Sequence, residues 1–191
     1  MPRAGLSPTR VVEEAEQLAD EGGLSNLTLA ALAQRVGVRQ PSLYKHIDSM
    51  DGLHRSIAIR AKLQLAETQA RATAGRARGD AIVSLARAYR DWARAHPGRY
   101  SAAQWVPPPH DAEAKAADLS SAEIVAAVLS GYGLKGDDAV DATRGLRAAL
   151  HGFVSLEMSG SFMHPADIDR SFERLVQLLA TALSSWSDET I

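Results

Sequence analysis

Residues 28–47 read Thr-Leu-Ala-Ala-Leu-Ala-Gln-Arg-Val-Gly-Val-Arg-Gln-Pro-Ser-Leu-Tyr-Lys-His-Ile. Leu29, Leu32, Ala33 and Val36 recur at helical spacing and give a first short helix one apolar face. Gly37 sits where the chain must reverse, and glycine adopts a left-handed turn at little steric cost. Val38 plugs the corner. A second helix opens at Gln40-Pro41, where proline's missing N–H does no harm in the first turn. Leu43 and Ile47 lie four apart and face back to the first helix. Gln40, Ser42, Tyr44, Lys45 and His46 are left on the outside or along the edges. Two helices in this arrangement form a helix-turn-helix. An outward face of amide, hydroxyl, aromatic and cationic groups suits reading of a DNA major groove.

Charge around this stretch is uneven. Residues 35–46 carry Arg35, Arg39, Lys45 and His46 and no acid, whereas Glu13, Glu14, Glu16, Asp20 and Glu21 make the preceding helix acidic. The whole chain of 191 residues has a net charge of only −2, which argues against a protein coating nucleic acid along its entire surface and leaves room for a local footprint. With 46% apolar residues a substantial core can form, and the low aromatic and high alanine content favours an all-α protein. Cysteine is absent, so neither a disulfide framework nor a cysteine metal site can exist. The six histidines show no paired metal-ligand spacing, and no nucleophile elbow, P-loop or dinucleotide fingerprint occurs. The expectation is no catalytic site, no metal and no cofactor. No apolar run approaches the ~20 residues that span a bilayer, and Met1–Arg10 contains no apolar leader core. A cytoplasmic protein without membrane contact is expected.

Further along the chain the helical signals continue. Ser7-Pro8 reads as an N-cap with proline at the first helical position, and Val11, Val12, Ala15, Leu18 and Ala19 form a stripe ended by Gly22-Gly23. Ser49 or Asp48 caps a long helix through Leu53, Ile57, Ala61, Leu65 and Thr68 to about Thr73. Gly75–Gly79 is a boundary, and Asp80 caps a helix carrying Ile82, Leu85, Tyr89 and Trp92. A short helix follows between Pro97 and Trp105, and Pro107-Pro108-Pro109 must break it. Ser120–Glu123 has the capping-box pattern, which leaves open whether residues 112–119 are a separate turn or part of the same helix. Asp137 caps a helix to about Ser159, and a last one runs from near Pro165 to about Trp186. The final five residues are expected to fray. The domains expected are a helix-turn-helix head over 1–48, a connecting helix over 49–75, and a larger helical part over 76–191, with about nine helices in all.

Residues 7–60 resemble the DNA-binding head of the tetracycline-repressor (TetR) family. The resemblance rests on the capped first helix, the Leu-Thr-x-x-x-Leu-Ala-x-x-x-Gly-Val core from Leu27 to Val38, and Leu-Tyr-x-His from Leu43 to His46. It implies that the second helix of the motif lies in the major groove. Gln40, Pro41, Ser42, Tyr44, Lys45 and His46 match the contacting positions, and Thr28 matches a hydroxyl that contacts phosphate. Arg39 joins them as a neighbouring cation. Where the family carries a phosphate-binding lysine, this chain has Met50, which leaves more of the anchoring to Lys45.

Beyond the head the resemblance implies a small-molecule pocket and a dimer interface built by the last two long helices. Tyr89, Trp92 and His151 join apolar bulk to a polar tip and are expected to hold a ligand with Trp105, Val125 and Leu129. Gly145, Ala148, Gly152 and Ser155 form a stripe of small residues, where glycine inside a helix costs ~1 kcal/mol against alanine. A close neighbouring helix explains that cost. Phe172, Leu175 and Leu179 recur on the last helix at near-heptad spacing, and both helices are expected at an interface between two copies. The resulting reading is a ligand-responsive transcriptional regulator, acting as a repressor, that binds a palindromic double-stranded operator as a homodimer and is released by an unidentified small apolar effector. The alternatives are a constitutive DNA-binding regulator without an effector and an unrecognised helical enzyme.

Overall fold

The computed structural model describes residues 6–188. Over these residues the chain forms nine α-helices and no strand: α1 Pro8–Gly22, α2 Leu29–Val36, α3 Gln40–Leu43, α4 Met50–Thr73, α5 Arg78–Ala95, α6 Pro97–Ala103, α7 Ala112–Ser130, α8 Gly136–Met158 and α9 Ile168–Asp188. They pack as two compact units that are not consecutive in sequence. The first is Met1–Leu63 with Ala95–Asp118, the second Gln64–Arg94 with Leu119–Ile191.

The first unit is built around the helix-turn-helix. Ser7 Oγ accepts from the Arg10 N–H (3.2 Å) at the start of α1, with Pro8 in the first turn. Thr28 Oγ1 accepts from the Ala31 N–H (3.1 Å) and so satisfies one of the free donors at the start of α2. Gly37 closes α2 at φ 72°, ψ 33°, the left-handed conformation the turn requires. Val11, Ala15, Leu32, Leu43, Leu53 and Ile57 meet in one buried core, and the half-buried Val38 packs against it. α6 lies across α1 and adds Ala102 to this core. Arg55 forks onto Asp111 (2.6 and 2.7 Å) and reaches Glu113 (2.8 Å), joining α4 to the start of α7. The guanidinium and the Ala114 N–H together hold the Asp111 carboxyl down to about 2.

In the second unit Ile82, Leu85, Tyr89 and Trp92 all turn inward from α5, as their spacing requires. Ala142, Leu146, Leu150 and Val154 form the inward face of α8, and Phe172, Val176, Ala180 and Leu183 that of α9. Arg90 is buried among these helices and bonds Glu157 (2.5 and 2.7 Å) and Asp169 (2.7 Å).

Several helix ends differ from the sequence expectations. α7 runs unbroken through Ser120–Glu123, so that capping-box pattern does not start a helix. Asp111 performs the role instead, accepting from the Ala114 N–H at 3.0 Å. Asp80 and Asp137 are in the first turns of α5 and α8 rather than at their caps. There a carboxylate still faces the positive end of the helix dipole, which is why the composition signal was correct and its register was not. α9 begins at Ile168, with Asp167 accepting from the Arg170 N–H (3.1 Å), three residues later than Pro165. α9 also extends to Asp188, so Ser187 and Asp188 are helical rather than frayed. The rest of the expected frayed end, residues 189–191, and residues 1–5 of the stretch read for a leader lie outside the described residues.

Candidate nucleic-acid interface

α3 is shorter than the sequence pattern suggests. Its α-helical span is Gln40–Leu43, and Tyr44–His46 continue it as hydrogen-bonded turns. The His46 N–H donates to the Leu43 carbonyl (2.8 Å), as does that of Ile47 (3.1 Å). Leu43 is fully buried and Ile47 nearly so, which pins this short element to the core from both ends. The residues between and before them are turned outward. Arg39, Gln40, Pro41, Tyr44 and Lys45 are exposed, and Ser42 and His46 are half-buried. Tyr44 is 54% exposed, unusual for a ring beside a well-formed core. Thr28, also expected at the interface, is exposed while its Oγ1 caps α2.

The cations of this unit divide into two groups. Arg35 lies in the same basic stretch but is committed to α1: it donates to both Glu21 oxygens (2.7 and 2.8 Å), to Glu14 (3.2 Å) and to Gln17 (3.1 Å). Its hydrogen bonds to Glu21 and then Glu14 push its pKa upward, and those that Glu21 accepts from it push the pKa of Glu21 downward. Arg60 is engaged in the same way by Glu16 and Glu13. Arg35 therefore joins α2 to α1 and neutralises the acidic helix, a role its position in a basic run did not reveal. By contrast, no ion pair among the described residues engages Arg39 or Lys45. Their charge is available to an outside partner. Met50, at the position where a lysine was expected from the resemblance, is half-buried and packs on the core of the unit.

The residues expected to form a ligand pocket fall in both units. Tyr89, Trp92, Val125 and Leu129 are buried in the second unit and His151 is half-buried there. Trp105 belongs to the first, where Lys62 donates to its carbonyl (2.7 Å) and lies 5.9 Å from its ring. Of the residues expected at a dimer interface, Gly145, Ala148 and Ser155 are exposed, and Gly152, Leu175 and Leu179 are half-buried. A Cβ added at Gly145 or Gly152 would meet nothing within 4 Å, so no helix among the described residues uses the space they leave. Phe172 is different. It is 1% exposed, with its ring 5.2 Å from that of Phe153 and 4.7 Å from the Arg90 guanidinium, and it faces its own unit. Sequence spacing placed it with Leu175 and Leu179, but 3.6-residue periodicity rotates it onto the Val176–Ala180 face. Among the described residues there is no group of three or more His, Asp or Glu able to hold a metal ion, and no helix is long and apolar enough to cross a membrane.

Comparison with known proteins agrees with this geometry. Residues 11–57 match the model of bacterial regulatory proteins of the tetR family, and residues 82–179 match that of the tetracyclin repressor-like C-terminal domain. The chain is 44% identical over 181 residues to the uncharacterised HTH-type transcriptional regulator Rv0681 of Mycobacterium tuberculosis, covering 94% of this chain and 83% of that protein. It is 35% identical over 187 residues to the uncharacterised HTH-type transcriptional regulator YobS of Bacillus subtilis, covering 95% of each. A TetR variant from Acinetobacter baumannii, solved in complex with minocycline, has the same fold with a TM-score of 0.71 at 21% identity, over 96% of this chain and 99% of that one. The two family models place regulators rather than enzymes at both ends of the sequence, and together with the exposed α3 face they identify the chain as a DNA-binding member of the TetR family of transcriptional regulators.

Proposed function

We propose that the chain is a repressor that binds a palindromic operator as a homodimer and leaves it when a small apolar effector binds. The observation that carries the DNA part is the outward set on and around α3: Arg39, Gln40, Tyr44 and Lys45 are exposed, and no ion pair among the described residues engages either cation. The two α3 elements of a dimer would then sit ~34–36 Å apart, one turn of DNA. Lys45→Ala weakens operator and random DNA alike and lowers the slope of log K against log salt by ~1, because one phosphate contact is lost. Gln40→Ala instead relaxes sequence preference, since a side-chain amide pairs with the adenine edge. Fluorescence anisotropy over a salt series separates the two effects; an unchanged slope for Lys45→Ala rules out this docking.

The dimer part is supported by the open space at Gly145 and Gly152 and by Leu156 and Leu178, which are 47% and 69% exposed on the same two helices. Exposed apolar side chains and open glycines on these two helices suit close approach of a second copy. Gly152→Trp fills that approach. It is expected to shift sedimentation from dimer to monomer and to reduce operator affinity, with the monomer's helical content unchanged. The effector part draws on the minocycline complex of the structural relative and on Tyr89, Trp92 and His151, which combine apolar area with polar tips in the second unit. Release requires that the effector favour the DNA-incompetent state, by ~5.5 kcal/mol for a shift from 99:1 to 1:99.

A further inference from the structure

The connection between α8 and α9 borders a hollow of about 250 Å³ within the second unit. None of the six side chains expected to hold the effector lines it. Its apolar wall includes Phe153, Phe162 and Ile168, and its polar groups are Ser161, His164 and Ser171. The two rings stand 4.9 Å apart at 48°, and Phe153 is backed by Phe172 at 5.2 Å. Behind them the buried Arg90, bonded to Glu157 and Asp169, keeps this wall in place. Met163 lies at the rim and is 89% exposed, so its flexible thioether is available to fold over a bound ring.

The polar groups have specific capacities left. His164 Nδ1 accepts from the Ala166 N–H at 3.2 Å, so the neutral ring carries its proton on Nε2 and has one donor to offer. Ser171 Oγ donates to the Asp167 carbonyl at 2.9 Å and keeps its lone pairs as acceptors. No lysine, arginine or carboxylate lines the hollow. A charged ligand would therefore lose hydration with no lysine, arginine or carboxylate in the lining to offset its charge. The hollow is open on one side, and its volume suits one ring with a substituent and is too small for a helix face. We propose that the hollow is a binding site for a neutral single-ring aromatic molecule bearing one hydroxyl group. This site is separate from the effector reading and does not rest on it.

The test uses the full chain without DNA, with p-cresol as the probe and 4-methylbenzoate as its charged counterpart. Saturation-transfer NMR and calorimetry are expected to give a Kd of ~1 mM or tighter for p-cresol and binding about tenfold weaker for the benzoate. Ala166→Phe, at an exposed position on the wall, fills the hollow and weakens p-cresol about tenfold without lowering Tm. Ser171→Ala weakens p-cresol about fivefold but leaves toluene unchanged. Gly79→Ala, at a position outside the hollow with open space around it, leaves p-cresol binding intact. The proposal is overturned if p-cresol fails to bind, if the benzoate binds equally well, if Ala166→Phe binds p-cresol like the wild type, or if binding disappears as protein concentration rises and a second copy covers the site.

Discussion

Gly98→Ala is expected to destabilise the protein by about 3 kcal/mol or more, a large effect for the addition of one methyl group. Gly98 is in the first turn of α6, where that helix crosses α1. A Cβ there would lie 2.1 Å from both the carbonyl carbon and oxygen of Ala19 and 2.6 Å from the Asp20 nitrogen. These are backbone atoms of a buried turn, and Ala19 O already accepts the Gly23 N–H at 2.8 Å, so they cannot yield as a long side chain would. The approach is further fixed by Asp20, which accepts from the Arg99 backbone N–H (2.9 Å) and from its Nε (2.7 Å). Separating α6 from α1 uncovers the core that supports α3, so operator affinity is expected to fall with stability. Gly79→Ala is the matched control. Its Cβ meets nothing within 4 Å, and in a helix the change is expected to be neutral or stabilising by up to ~1 kcal/mol. Urea denaturation compares the two; equal midpoints for Gly98→Ala and wild type would disprove the close approach.

Arg90→Ala is expected to cost about 3–5 kcal/mol in the second unit. The arginine side chain is 7% exposed and that of Glu157 12%, so truncation strands a carboxylate in a poorly solvated site. Arg94, 3.9 Å from the same carboxylate and more than half exposed, offsets only part of the lost charge pairing. The guanidinium also lies 4.7 Å from the centre of the Phe172 ring, a packing contact that truncation removes as well. Arg90→Lys keeps the charge but loses the two-pronged bond to Glu157, and an intermediate loss is expected. Arg90→Met with Glu157→Gln removes both charges and is expected to recover much of the stability. A double-mutant cycle by chemical denaturation measures the coupling, and additive single losses would mean the pair acts independently.

The helix-turn-helix was legible because its signals are local. Thr28 as a cap, Gly37 in a left-handed turn and the 3.6-residue recurrence of Leu29, Leu32 and Val36 each depend on a few neighbouring residues. Caps chosen from composition alone were less secure. Ser120–Glu123 has the right residues for a start, but the helix already begun at Ala112 leaves no free N–H groups there to cap. The outward character of Tyr44 and Lys45 also followed from the sequence, since Leu43 and Ile47 had to face inward.

What the sequence by itself determined about this protein is its all-α character, the position of the second helix of the helix-turn-helix and the residues on its outer face. These follow from periodicity and turn chemistry over spans of a few residues. Only the tertiary structure decided how the charges and rings are used. Arg35 and Lys45 are ten positions apart in one basic run, yet the first is neutralised by Glu14 and Glu21 of α1 and no ion pair among the described residues engages the second. Phe172 and Leu179 share a heptad-like series, yet one is enclosed by Phe153 and Arg90 and the other is only half covered. The need for glycine at position 98 arises from a backbone almost eighty residues earlier in the chain. Such pairings depend on which helix faces cross, a long-range property that local spacing does not encode.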